Sequence, residues 1–402
     1  MVSAPTGRFR LLRLEQFAII ASLAPAAFAQ PADLSSVKRP AAPSFFWDYS
    51  RFPQVLGDYV TAVFDNKASK PVQDRVGAAM RLDTFQIEAM TTDATVNHES
   101  RWRPSLERRQ RILPVVQHIL SLPEKEVDIW DVSMTLAQDT YPDLDVAHYN
   151  REFEKVVKRI KEATPSDADP ERRIRTINTI LYLKMGIAYD EEEREGQQTV
   201  YNRYPFSILD RKRGNCFNLA LFYIAVGQRL GYPLYPVSAP EHLFVRYVDP
   251  GFKLQNIDPS GRGRYSPDEE YIRRMEIPEH ALKNGTYLRT MSYRELVGTM
   301  VADHGGFYYG QYLKDDVLAI ALMERGLDRN PTNSVHWALL GTRYQHWGAR
   351  EWMPDVREIK FIRGLVFMKK GMRMGLGKPR SQELKERKEL ERVKKSLAKP
   401  GV

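Results

Sequence analysis

The sequence predicts an α+β fold in which one apolar helix stands in the middle of the core, packed on a small antiparallel sheet and flanked by further helices. Three observations carry this prediction. An almost unbroken apolar run follows Cys216 and ends at Gly231. Two strand-like runs come next, His242–Val248 and Phe252–Asp258, joined by Asp249-Pro250-Gly251. Helical patterning fills most of the remaining chain before and after them.

The central helix has a readable start and stop. Asn215 is a preferred N-cap, because its side-chain oxygen can accept from the free N–H groups of a first turn, and Gly231 followed by Pro233 is the matching end. Cys216, the only cysteine in 402 residues, therefore falls in the first turn. The helix dipole there favours an anion, and Arg211, Lys212 and Arg213 lie just upstream, so a thiolate is the expected form. Leu219, Ala220, Leu221, Phe222, Ile224, Ala225, Val226 and Leu230 cover nearly every face, which places the helix inside a core and holds the thiol rigidly.

The hairpin supplies two further groups. Pairing Val248 with Phe252 sets His242 directly opposite Asp258, with Cβ atoms about 4.5–5.5 Å apart on one face. Asp249 lies roughly 20 Å along the strand from His242 and reads as a turn residue. A slip of one residue would turn Asp258 to the other face. Each residue has an ordinary structural role open to it, as small hydrophobe, strand-end histidine or turn acid. Taken together, Cys216, His242 and Asp258 supply a nucleophile, a base and an orienting group, a recurrent solution to acyl transfer. In that chemistry the Cys216 thiolate attacks a carbonyl, His242 protonates the leaving amine and then activates water or an acceptor amine, and Asp258 holds the imidazole. The Cys216 N–H is one expected oxyanion donor, with Tyr204 and Asn202 as candidates for the second.

Gly214-Asn215-Cys216-Phe217-Asn218-Leu219, Arg229-Leu230-Gly231-Tyr232-Pro233, Glu241-His242-Leu243-Phe244-Val245-Arg246-Tyr247 and Asn256-Ile257-Asp258-Pro259-Ser260-Gly261 resemble the core of the transglutaminase-like superfamily, in its SirB-type branch. The resemblance runs from about Glu124 to Arg350, including Asp128 to Asp131, Thr140 to Asp145, Glu171 to Gly186 and Ser266 to Glu270. It implies a papain-like core and the same three catalytic residues, Cys216, His242 and Asp258. It also implies a protein or peptide substrate bearing an amide. That branch includes members without the cysteine; this chain keeps all three residues. Hydrolysis by a protease or amidase and transfer by a transglutaminase both stay open. So does the contrasting reading, a non-catalytic scaffold or interaction module on the same fold.

Composition bounds the alternatives. With 43% apolar residues the chain can fill more than one core, and a single cysteine excludes an intramolecular disulfide framework. The net charge of +9 is spread along the chain; no zinc-finger spacing, P-loop, dinucleotide fingerprint or His-Glu-x-x-His helix is present. No cofactor, metal or nucleic-acid partner is expected.

The expected organisation is a signal peptide at 1–29, a linker at 30–44, a helical region at 45–123, the transglutaminase-like domain at 124–290, a tetratricopeptide-like helical segment at 291–371 and a charged tail at 372–402. Arg8, Arg10 and Arg13 before the apolar Phe17 to Ala24, with Ala27-Phe28-Ala29 ahead of Gln30, resemble a bacterial secretory signal, which implies export to a periplasm or the exterior. That run is too short for a transmembrane span. Phe45, Phe46, Trp47 and Tyr49 read as a docking anchor, His98 and Glu99 as loop residues, and Asp190 to Glu193 with Glu195 as a solvated acidic loop. Trp337, Leu340, Gly341 and Tyr344 match the tetratricopeptide signature, with Pro331 closing the preceding repeat and Ala319 and Met323 at its packing positions. Fewer than three units are readable, so the segment should pack on the catalytic body, completing the core or offering a groove to a partner.

Overall fold

Asn218 to Gly227 are all buried, an uninterrupted stretch that makes the Cys216-bearing helix the centre of the architecture. The structure is a computed structural model. It describes residues 69–92, 99–194, 199–351 and 353–376, with Tyr59, Val63 and positions 380, 381, 384, 385, 387 and 388. The segments expected as signal peptide and linker, the aromatic cluster at 45–49, His98, Glu195 and most of the charged tail lie outside the described residues. Glu99, expected in a loop, instead opens a long helix.

The helices that bear on the site are α1 (Lys70–Arg81), α2 (Thr84–Thr92), α3 (Glu99–Ser121), α4 (Ile129–Thr140), α5 (Val146–Ala163), α6 (Pro170–Asn178), α7 (Cys216–Arg229), α8 (Tyr293–Asp303), α9 (Asp316–Arg329), α10 (Ser334–Ala349) and α11 (Pro354–Arg373). None of the described helices is long and apolar enough to cross a membrane. The strands are β1 (Ala188–Tyr189), β2 (Arg213–Gly214), β3 (Leu234–Ala239), β4 (His242–Tyr247), β5 (Asn256–Asp258) and β6 (Arg264–Ser266). β1 and β2 form a short parallel pair, and β3 to β6 form an antiparallel sheet in sequence order. This is the predicted α+β arrangement, a central helix on a small antiparallel sheet with helices before and after it.

α7 is fixed at both ends by its own sequence. Asn215 caps it, its side chain accepting from the Phe217 and Asn218 N–H groups. At the other end Gly231 takes φ +71°. The Tyr232 N–H then reaches the Gly227 carbonyl at 2.8 Å and the Gly231 N–H reaches Gln228 at 3.0 Å, a Schellman closure that needs a left-handed residue. Gln228 clamps this end to α4, accepting from the Ile129 N–H at 2.9 Å and donating to the Val127 carbonyl at 3.0 Å. Trp130 of α4 stacks on Phe153 of α5 at 4.0 Å, and Phe222 of α7 meets both edge-on. One apolar cluster thus joins the three helices.

After the sheet, a reciprocal capping box between Ser292 and Glu295 starts α8, which runs on into a stretch of i→i+5 bonding at His304–Tyr312. α10 and α11 pack as a hairpin beyond α9. Leu340 and Tyr344 are fully buried and Trp337 nearly so, and the Trp337 indole donates to the Pro331 carbonyl at 2.8 Å. Gly341 lets the two helices touch: a Cβ there would sit 2.4 Å from Met368 Cγ and 2.6 Å from the Gly364 carbonyl oxygen. Gly341→Ala is expected to lower stability by about 1–3 kcal/mol through overpacking, read as a lower urea midpoint.

Candidate functional site

Two backbone turns bring the reactive groups together. β2 sets the chain entering α7, held by the Asp190 N–H on the Gly214 carbonyl at 2.8 Å. Asn215, in extended conformation, then swings Cys216 to the first helical position. Its Oδ1 takes the Phe217 and Asn218 N–H groups, both at 3.0 Å, and its Nδ2 anchors to the Asn202 carbonyl at 3.2 Å. Asn215→Ala should cost about 0.5–2 kcal/mol and loosen the thiol, checked by urea unfolding and by the rate of Cys216 alkylation.

The second turn is Pro240-Glu241, which joins β3 to β4 with Ala239 paired to His242. Glu241 adopts φ +55°, uncommon for a residue with a side chain. Its carbonyl oxygen lies 3.8 Å from Cys216 Sγ, so the thiol, itself partly exposed, faces the tip of the hairpin that carries the imidazole.

His242 and Asp258 meet: Nε2 lies 3.2 Å from Oδ2. The register that achieves this differs from the one expected. β4 and β5 pair Val245 with Ile257 and Arg246 with Asn256, two residues away from the predicted alignment, and β5 is only three residues long. The connection is longer than Asp249-Pro250-Gly251. Asp249 does turn the chain, accepting from the Gly251 N–H at 2.8 Å, but Gln255 at φ +56° makes a second turn before β5 begins. Because strand side chains alternate with period two, a slip of two leaves Asp258 on the His242 face, and the carboxylate reaches the ring diagonally.

The rest of the Asp258 carboxylate is occupied. Its Oδ1 accepts from Ser260 Oγ at 2.6 Å and from the Ser260 and Gly261 N–H groups at 3.1 and 3.3 Å. Tyr271 Oη donates to Oδ2 at 3.4 Å, and Arg274 approaches to 4.0 Å. The Tyr271 ring lies parallel to Phe244 at 4.1 Å, and both flank the imidazole. Burial alone would lower the His242 pKa. The hydrogen bonds to Asp258 and Cys216, with the charge of both, overcome it and raise the imidazole to about 10. Burial likewise works against the Asp258 carboxylate, and the His242 bond and charge, then Ser260 and Gly261, hold it below the ordinary aspartate value. The imidazolium–carboxylate form is therefore favoured at neutral pH, with Nδ1 left for the thiol side.

Other expected participants have different work here. Tyr204 is buried, sharing a hydrogen bond of 2.5 Å with Thr140 Oγ1 and one of 2.8 Å with His304 Nδ1. His304 Nε2 in turn lies 2.9 Å from Asp139, which also takes Tyr309 and Arg111. Asn202 donates to Asp190 at 3.2 Å and accepts from Asn218 at 3.2 Å. Both side chains expected as oxyanion donors are thus tied into the scaffold under the start of α7. Asp190, expected in a solvated loop, is buried and paired with Arg211 at 2.6 Å; Glu191 and Glu192 are exposed. Lys212 donates to the Leu209 carbonyl, which leaves Arg213 as the exposed cation of the upstream three. Sequence reasoning missed Ser260, Tyr271 and Glu241, though Ser260 was open to it: an Asp-Pro-Ser-Gly turn lets the hydroxyl and N–H groups fold back on the aspartate.

A family model described as Transglut_core2, transglutaminase-like superfamily, matches residues 147–302, a span that holds Cys216, His242 and Asp258. Those residues form a transglutaminase-like domain. The chain is 28% identical over 162 residues to a UPF0162 protein of Xylella fastidiosa strain Temecula1, covering 40% of this chain and 56% of that one. It is also 28% identical over 177 residues to a UPF0162 protein of Xylella fastidiosa strain 9a5c, covering 42% of this chain and 61% of that one. The chain spans little more than half the length of the curated relatives it matches.

Proposed function

We propose that the domain is a cysteine-dependent amide hydrolase or acyl transferase acting on a protein or peptide, with Cys216 as nucleophile, His242 as acid and base, and Asp258 as the group that orients the imidazole. The observation that carries this reading is the 3.2 Å contact of His242 with a buried, multiply held Asp258, beside a helix-tip cysteine. A carboxylate held by three protein donors at one oxygen and by the imidazole at the other fixes the ring's tilt and tautomer. Cys216 Sγ adds to the carbonyl carbon, the oxyanion collects at the Cys216 N–H, and the imidazolium gives its proton to the departing amine. Water or an amine then attacks the thioester, deprotonated by the neutral imidazole, and the thiol leaves. We further propose that the domain is of the SirB-type branch, that α10 and α11 act as a tetratricopeptide-like surface for a protein partner, and that the chain is exported, in keeping with its N-terminal pattern.

The test uses p-nitrophenyl acetate. Acetylation of Cys216 with release of p-nitrophenolate, followed by turnover, is expected for the wild type and should be lost in His242→Ala. An acetylation rate that does not depend on His242 would identify an ordinary thiol on a non-catalytic scaffold.

A further inference from the structure

The strand that leads into the nucleophile has one edge open. In the parallel pair, Ala188 lies opposite Arg213 and Tyr189 opposite Gly214. The Ala188 N–H donates to the Lys212 carbonyl at 3.0 Å, and the Asp190 N–H to the Gly214 carbonyl at 2.8 Å. Neighbouring residues of a strand turn their N–H and C=O groups to opposite edges, so those of Arg213 point away from β1. The sheet stops at β2, and among the described residues no group bonds to the Arg213 main chain. Arg213 is exposed, which leaves its amide and carbonyl to water. The edge is also anchored. Gly214 is buried against α7, where a Cβ would fall 2.3 Å from Asn218 Oδ1, and its carbonyl is tied to the residue after β1.

We infer that this edge of β2 receives the acyl portion of the substrate as an added parallel strand, with the Arg213 N–H and C=O bonded to two substrate residues that flank a third. The inference rests on the proposed function for its direction: the amine side of the scissile bond meets the imidazole, and the acyl side is left to the chain that enters α7. Arg213 precedes Cys216 by three residues, at most about 10 Å of extended chain, so the paired stretch is centred about three residues before the scissile bond. An unpaired donor and acceptor on an anchored edge are a template for an incoming strand, and the protein orders little of itself to use them. The substrate class this selects is an extended stretch of polypeptide rather than a single amino-acid amide. Because main-chain groups do the recognising, side chains in that stretch matter little.

Peptide chloromethyl ketones read this edge without requiring turnover. The full chain would be treated with acetylated alanine peptides of one to five residues ending in a chloromethyl ketone, whose methylene carbon bonds to Cys216 Sγ as chloride leaves. Alkylation should quicken about tenfold or more from the shortest to the longest, relative to the same series with a free thiol. N-methylation should cancel that gain at one alanine, the one whose N–H meets the Arg213 carbonyl, while the residues on either side of it tolerate the methyl group. A rate independent of length, a gain that no single N-methyl group removes, or a thiol inert to the whole series would each overturn the inference. Failure of acetylation by p-nitrophenyl acetate, with the length and N-methyl pattern intact, would uphold the strand addition while removing the catalytic reading, leaving a peptide-binding edge beside the thiol.

Discussion

Asp258→Asn will slow acetylation of Cys216 by about 10³–10⁴-fold while leaving the fold in place. The asparagine carbonyl can occupy the Oδ1 position and keep the bonds from Ser260 Oγ and from the Ser260 and Gly261 N–H groups. Its amide nitrogen then replaces Oδ2, where the imidazole Nε2–H now donates. Two donors cannot share that contact, so the ring must carry its proton on Nδ1, the nitrogen needed by the thiol, and the charged ring loses its counter-ion. Single-turnover kinetics with p-nitrophenyl acetate, alongside circular dichroism for the fold, measure both halves. A loss smaller than tenfold would mean that Asp258 only supports the turn after β5.

The second large effect is on stability against alkali. His242 titrates at about 10 in the folded protein against 6.5 for the free group. Its contribution is therefore complete below pH 6.5 and disappears as the pH rises through about 10. Asp258 is displaced in the opposite direction, so its part is present above the ordinary aspartate range and lost in acid. The wild type should lose stability on the order of a few kcal/mol between pH 6.5 and 10, seen as a falling urea midpoint. In Asp258→Asn, where of the two partners only Cys216 still raises the imidazole, the loss over the same interval should be much smaller. Parallel profiles in the two proteins would show that other groups set the alkaline limit.

Much of the scaffold around the sulfur was legible because it follows from short-range rules. Asn before an apolar run and Gly-x-Pro after it delimit a helix by capping chemistry alone, and eight apolar side chains spaced around every face leave only the interior for it. The shared face of His242 and Asp258 was legible for a different reason: strand side chains repeat every two residues, so the inference survives an error of two in register. The turn itself was not legible. Gln255 and Glu241 take left-handed backbone without being glycine, and no local pattern announces that. The roles of Tyr204, Asn202 and Asp190 were also out of reach, since their partners, Thr140, His304, Asn218 and Arg211, are set by tertiary packing. Asp190 illustrates the point: within an acidic run its neighbours face water, yet its own carboxylate is buried against a guanidinium.

The Gln228 clamp, with the cap at the opposite terminus, has a mechanical corollary. α7 cannot slide, tilt or fray without tearing the apolar centre it belongs to, so its amides should exchange with solvent deuterium only through global opening. The sulfur is mounted at the start of this clamped helix, and the opposing wall is a turn of two residues. Any breathing that widens or narrows the gap between them is therefore a movement of that turn, which makes the hairpin tip the adjustable jaw and the helix the anvil.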